Sequence, residues 1–182
     1  MSYTTKEKIE YYTLLDIDAS FSPVIDNWIA IAEDHINQAT NRKFEAEAGE
    51  YVFDGNNKTR LLVGDFTTLT SVEINDTDVT SDIKTYPANT TPKNVLYYEN
   101  GFDAGKQNIK VNAKWGYSDS VPFGVEFVAT VFVAGLIQKH LKVTSAIKSE
   151  KIGNYQVSYT EAQLEDVRMI DKILSTYRYY PL

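Results

Sequence analysis

The chain has 182 residues and a mass of 20.6 kDa, enough to bury about 70% of the surface an unfolded chain of this size exposes and to form one domain, or one domain carrying an insertion. It has no cysteine and two histidines, His35 and His140. That excludes a disulfide scaffold, an iron–sulfur cluster, a cysteine nucleophile and a Cys-type zinc site, and leaves little material for a His-rich metal site. Residues 1–43 carry 4 basic and 7 acidic side chains, residues 44–120 carry 7 and 12, and residues 121–182 carry 7 and 6, for a net charge of −7. No region is a basic stripe, so tight binding to a nucleic-acid backbone is disfavoured.

The first helical signal is Thr4-x-x-Glu7, a capping box opening a short helix through about Leu15. Asp16 to Ser20 reads as a connection. Ser22 followed by Pro23 offers a hydroxyl cap and a proline at the first helical position. From there Ile25, Trp28, Ile29, Ala32, Ile36 and Ala39 recur at three- and four-residue spacing. This predicts a helix from Pro23 to about Asn41 with one buried face and Trp28 as a core anchor.

From about residue 45 the apolar period changes to two. Glu50–Phe53 and Arg60–Val63 flank a polar tip over 54–58 that holds an Asp-Gly turn pair. Further strands are expected at Thr70–Ile74, Ile83–Tyr86 and Val95–Tyr98, and Ile109–Trp115 alternates apolar and polar residues without a slip. Val121-Pro122 reopens helix, carried to about Leu141 by apolar residues at 125, 128, 129, 132, 133, 136 and 137. The apolar run Val121–Ile137 contains Glu126 and falls short of the ~20 residues a membrane span needs, so it reads as the core helix of a soluble protein.

Lys142–Lys151 then reads as a linker and Tyr155–Tyr159 as a short alternating strand. Thr160 reads as the cap of a last helix with the stripe Leu164, Val167, Ile170, Ile173, Leu174 and Tyr177. The predicted class is α+β, a small helical bundle with an inserted antiparallel β-sheet or barrel-like subdomain. Residues 1–44 with 121–182 form the helical core and 45–120 the insertion. The polar opening Met1–Glu7 has no secretory-signal pattern.

Motifs that carry chemistry are sparse. Gly116-Tyr117-Ser118-Asp119-Ser120 lacks the second glycine of a nucleophile elbow, and Gly101 with Gly105 lacks a phosphate-loop ending. His35 and His140 each stand on a helix without a second histidine one turn away, so neither reads as a metal ligand. The acid pairs Asp16/Asp18, Asp76/Asp78 and Glu165/Asp166 fall in turns or on solvated faces. Glu126, inside the apolar helix, is the one acid in a costly place; it reads as a structural ion pair in a first turn that favours a carboxylate. The Asn-x-Ser/Thr strings at Asn57, Asn75 and Asn89 read as coincidences of an Asn/Thr-rich insertion. No catalytic, cofactor-binding or metal-binding residue is assigned, and the chain does not read as an enzyme. The terminal aromatic cluster has no evident core to join and reads as a docking element.

Ala39-Thr40-Asn41-Arg42-Lys43-Phe44 closes the long helix, Tyr51–Gly55 opens the sheet, and Val111 through Trp115-Gly116-Tyr117 is followed by Pro122 and the apolar helix. Ser149-Glu150-Lys151-Ile152-Gly153-Asn154-Tyr155-Gln156-Val157-Ser158-Tyr159 then precedes the final helix and a Tyr-Arg ending. This succession resembles the bacteriophage head–tail connector (adaptor) family. It departs from many such adaptors, which are shorter and have little β structure.

The resemblance implies a virion structural protein of a tailed phage or prophage, made in the host cytoplasm and placed at the head–tail interface. It would form a homo-oligomeric ring on the portal protein, recruit a stopper or tail-completion protein, and let DNA pass without specific binding. No membrane is implied as a partner. An acidic chain suits that passage, since like charge repels phosphate. Tyr177, Arg178, Tyr179, Tyr180 and Leu182 are the residues expected to dock on the portal. A competing reading is a ligand- or carbohydrate-binding module displaying tyrosines on its β insertion; a third is a small hydrolase built around Glu126.

Overall fold

The computed structural model describes residues 2–146 and 161–179. They divide into two compact units, one formed by the described residues up to 41 and from 122 onward and the other by residues 42–121. The class is α+β, and among the described residues there are four α-helices and one six-stranded antiparallel sheet.

In the helical unit, α1 (Lys6–Thr13) is capped by Thr5, whose hydroxyl accepts the Lys8 amide at 3.4 Å. The capping register is thus one residue later than Thr4-x-x-Glu7 suggests. Thr4 is buried instead, with its hydroxyl 2.7 Å from that of Thr130. Two buried hydroxyls that satisfy each other avoid the desolvation penalty either would incur alone.

A 3₁₀ turn, Ala19–Phe21, leads into α2 (Ser22–Thr40), and Asp18 accepts the Ser20 amide at its start. Ser22 is therefore not a cap: its backbone is already helical, and its N–H reaches Ala19 O. Pro23 keeps its expected place in the first turn. Ile25, Ile29, Ala32, Ile36 and Thr40 are buried along one face, and Asn41 ends the helix in the left-handed conformation.

α3 (Phe123–Ala146) begins as expected after Pro122 but runs five residues beyond Leu141, into the stretch read as a linker. Nothing in Val143-Thr144-Ser145-Ala146 breaks a helix. Phe123–Leu141 is long and apolar enough to cross a membrane by composition. Within it Val125, Val128, Ala129, Val133, Ala134 and Ile137 are buried. Ile9, Ile25, Ile29, Ala32, Val133 and Ile137 form one core from α1, α2 and α3, each large aliphatic side chain contributing about 1.5–3 kcal/mol of burial. α4 (Glu161–Tyr177) packs on α2 and α3, with Leu174 buried and Ile170, Ile173 and Tyr177 half-buried. The strand expected at 155–159 and the Thr160 cap lie outside the described residues.

The sheet unit holds β1 (Glu47–Gly55), β2 (Lys58–Ile74), β3 (Thr77–Asp78), β4 (Lys84–Tyr86), β5 (Lys93–Phe102) and β6 (Gly105–Trp115). The strand order is β1-β6-β2-β5-β4, with β3 beside β2, and the sheet is open rather than a closed barrel. The stretches 60–63 and 70–74 belong to one long strand. They read as two because the buried alternation slips between Val63 and Phe66 and again before Val72, where the pairing register shifts.

The tip at 54–58 is not a hairpin: β1 and β2 both pair with β6, which lies between them. The β1–β2 link passes against the β5–β6 link so closely that a Cβ on Gly55 would sit 1.7 Å from Asp103 O. Asparagine side chains satisfy the backbone groups this frees. Asn108 Oδ1 accepts the Gly55 amide at 2.9 Å, Asn57 Oδ1 accepts the Ala104 amide at 2.9 Å, and Asn108 donates to Asp103 O at 3.0 Å.

The alternation read in Ile109–Trp115 places Ile109, Val111, Ala113 and Trp115 in the sheet core with Leu61, Val63, Phe66, Val72, Ile74, Leu96 and Phe102. The intervening Lys110, Asn112 and Lys114 make polar contacts on the other face, to Asp76, Glu50 and Asp119 respectively.

Candidate docking surfaces

The C-terminal aromatic segment is partly tied down. Gly124 on α3 leaves room for α4: a Cβ there would meet Ile173 Cγ2 at 3.1 Å and the Tyr177 hydroxyl at 3.3 Å. Beyond α4, the Tyr179 amide donates to Thr40 O at 2.8 Å and Arg178 Nε donates to Ala39 O at 3.1 Å. These bonds serve carbonyls that the last turn of α2 leaves without helical partners. Arg178 also lies 3.8 Å from Asp171. Of the five residues expected to dock on a portal, Tyr177, Arg178 and Tyr179 therefore have contacts within the helical unit, and Tyr180 and Leu182 lie outside the described residues.

Sequence reasoning missed a second feature of this unit. Leu15, Ile17, Phe21, Trp28, Ile137 and Leu141 line an apolar cleft of about 300 Å³, with Asp16, Asp18 and His140 at its margin. Trp28, expected as a core anchor, is half-buried in the cleft wall, its ring 5.7 Å from His140. Leu14 stands just before the cleft residues, 89% exposed, with φ 55° at the C-cap of α1. A leucine in the left-handed region costs about 1–2 kcal/mol, and here no burial offsets that cost. The Leu14-Leu15 pair, read from the sequence as the end of the first helix, was the available signal, two apolar residues together at a helix end beside Asp16.

The chemistry weighed from the sequence takes structural positions. Glu126 accepts an ion pair from Lys8 at 2.7 Å. His35 packs on Phe132 at 5.6 Å, and His140 sits against Phe21 and Trp28. Among the described residues no group of His, Asp or Glu side chains could hold a metal ion. The tyrosines of the sheet do not share one platform. Tyr51 stacks on Trp115 at 4.4 Å on β1, Tyr86 meets Tyr97 at 6.4 Å on the opposite edge, and the Arg42 guanidinium lies 5.1 Å from the centre of the Tyr117 ring. A polar pocket of about 270 Å³ is lined by Asn75, Asn100, Asp103 and a single tyrosine, Tyr98.

Carboxylates on the sheet are held mainly by direct pairing. Asp76 lies below its ordinary value through its hydrogen bond and attraction to Lys110, and Asp119 through its bonds to Lys114 and Thr67. Asp65 is the exception, raised by burial against the opposing pull of Arg42, 2.7 Å away.

No protein-family model matches the chain, and no curated protein matches it. Solved structures do. The chain is similar to one from the neck of a native gene transfer agent particle computed with C12 symmetry, with 9% identity, a TM-score of 0.60 and coverage of 97% of this chain and 88% of that one. A chain from the neck of the empty particle computed with C6 symmetry gives 8% identity and a TM-score of 0.57, covering 88% and 80%. A chain from the native virion gives 11% and 0.55, covering 97% and 89%. At such identity the likeness is one of fold: the connector-like succession of elements read from the sequence is built as a fold that also occurs in the neck of a phage-like particle.

Proposed function

We propose that this chain is a structural neck protein of a phage-like particle: a head–tail connector that assembles as a ring on the portal and joins head to tail. The observation that carries the reading is the fold likeness to a neck chain over 97% of the sequence, spanning both the helical unit and the inserted sheet. Its partners are the portal protein, a stopper or tail-completion protein and further copies of itself, and its place is the virion. A ring of identical subunits needs two different complementary surfaces on each subunit. The apolar cleft beside Leu14 supplies one surface suited to such a contact, and the segment from Tyr177 to Leu182 supplies the docking element for the portal.

The test is to mix the purified chain with the portal protein encoded beside it and follow co-migration. A ring-sized complex is expected. Deleting residues 180–182 spares the bonds from Arg178 and Tyr179 to α2, so the variant should keep the wild-type melting temperature and lose the complex. Unchanged binding would remove the tail from the docking role, and no complex at high micromolar concentration of a folded chain would overturn the connector reading.

A further inference from the structure

The open sheet has two edges, and they differ. β1 is a nine-residue edge strand, mostly exposed, whose charges are all acidic (Glu47, Glu50 and Asp54) and which has no cation or proline of its own. Among the described residues β1 pairs only with β6. The other edge, β4, is three residues long, is followed by Pro87, and carries Lys84.

The strand path alternates in direction over five strands, so β1 and β4 run the same way. Two copies placed edge to edge in the same orientation would therefore pair β1 with β4 in parallel. On β1, Tyr51 and Phe53 are register partners of the buried Val111 and Ile109, so Glu50 and Val52 point to the opposite face. On β4, Thr85 is opposite the buried Leu96, so Lys84 and Tyr86 point to that same outer face.

We propose that β1 of one copy adds to β4 of a second copy, extending the sheet from subunit to subunit, with Glu50 beside Lys84 and the exposed Val52 beside the exposed Tyr86. The occupant is a second copy because the two edges complement each other. Glu50 of β1 faces a cation, an apolar side chain meets an aromatic one, and residues on one face of both strands fall into step. Pro87 cannot donate to the ladder, which confines pairing on this edge to Lys84–Tyr86. The contact is head-to-tail, the kind that closes into a ring or grows into a filament. The proposal rests on the ring reading above.

The native chain has no cysteine, so single cysteines report proximity cleanly. Glu50→Cys and Lys84→Cys chains, both substituted at exposed positions, are mixed at high concentration and oxidised, with Glu50→Cys plus Lys58→Cys as the control pair. The 50–84 heterodimer should form at least tenfold faster than the control, and the chain carrying both substitutions should give a ladder of covalent multimers. Equal rates, a predominance of 50–50 homodimers, or closure of the double variant within one chain would overturn the pairing. A portal complex that forms without 50–84 cross-links overturns the edge contact and keeps the ring reading. Cross-linking without a portal complex does the reverse.

Discussion

Arg42 and Asp65 meet at 2.7 Å with both side chains mostly buried, and among the described residues Asp65 Oδ1 has no hydrogen-bond partner. Burial outweighs the pull of Arg42, so the folded state holds the Asp65 proton more tightly than the unfolded chain does. The folded value is raised above the ordinary 3.8, and stability contributed by the protonated form is lost as pH rises through the window between the two. Asp65→Asn resembles the protonated acid. Chemical denaturation should therefore find it level with wild type in acid and equal or slightly more stable at pH 7. Arg42→Met leaves the carboxylate buried without its cation and should cost about 3 kcal/mol. A loss above about 1 kcal/mol for Asp65→Asn at pH 7 would show that the ion pair outweighs burial. Leu14 offers a second residue-level test. Glycine adopts φ 55° freely, so Leu14→Gly should stabilise the isolated chain by up to about 1 kcal/mol and, under the proposed connector role, weaken subunit assembly.

Among the elements, the crossing of the β1–β2 and β5–β6 links depends on Gly55. With Asp103 O only 1.7 Å from where a Cβ would be, Gly55→Ala must displace one link, and a loss of about 1–3 kcal/mol in urea unfolding is expected. Gly64 has nothing within 4 Å of its would-be Cβ, so Gly64→Ala should gain about 0.4–1 kcal/mol through the unfolded state. Equal effects would mean the crossing is not tight.

The same crossing marks where the sequence stopped being informative. α2 and β6 were legible because their buried faces repeat at the periods of helix and strand: Ile25, Ile29, Ala32 and Ile36 of the α2 stripe and Ile109, Val111, Ala113 and Trp115 of β6 are buried, while Trp28 and Ala39 are half-buried. Asp54-Gly55 carried a hairpin signal, but turn chemistry is local, whereas which strand fills the space beside β1 is decided by residues 105–115, some fifty positions away. The cap on α1 slipped by one because Thr4 and Thr5 are chemically alike and only tertiary packing, through Thr130, separates them. The cleft was not legible either, since Leu15 and Leu141 are distant in sequence and each alone reads as ordinary helix-end surface.

At the scale of the molecule, the sheet unit is entered and left side by side. Tyr117 donates to Lys43 O at 2.8 Å, Ser118 to Phe44 O at 3.3 Å, and Glu45 and Ser118 form a parallel bridge. An insertion whose ends adjoin can be accommodated without prying its host apart. Among the described residues, the core drawn from 61–115 and the core drawn from α1, α2 and α3 share no residue. Each unit should then answer to its own core substitution. Leu96→Ala, in the sheet core, should cost the sheet unit about 2–5 kcal/mol, and Ile29→Ala should cost the helical unit a similar amount. Calorimetry read alongside Trp115 and Trp28 fluorescence, one tryptophan in each unit, separates the responses. Leu96→Ala should lower the Trp115 transition and leave the Trp28 transition in place, and Ile29→Ala should do the opposite. Both probes shifting together in both variants would mean that the chain unfolds as one cooperative body, and that the inserted sheet and the helices which carry it are a single thermodynamic unit.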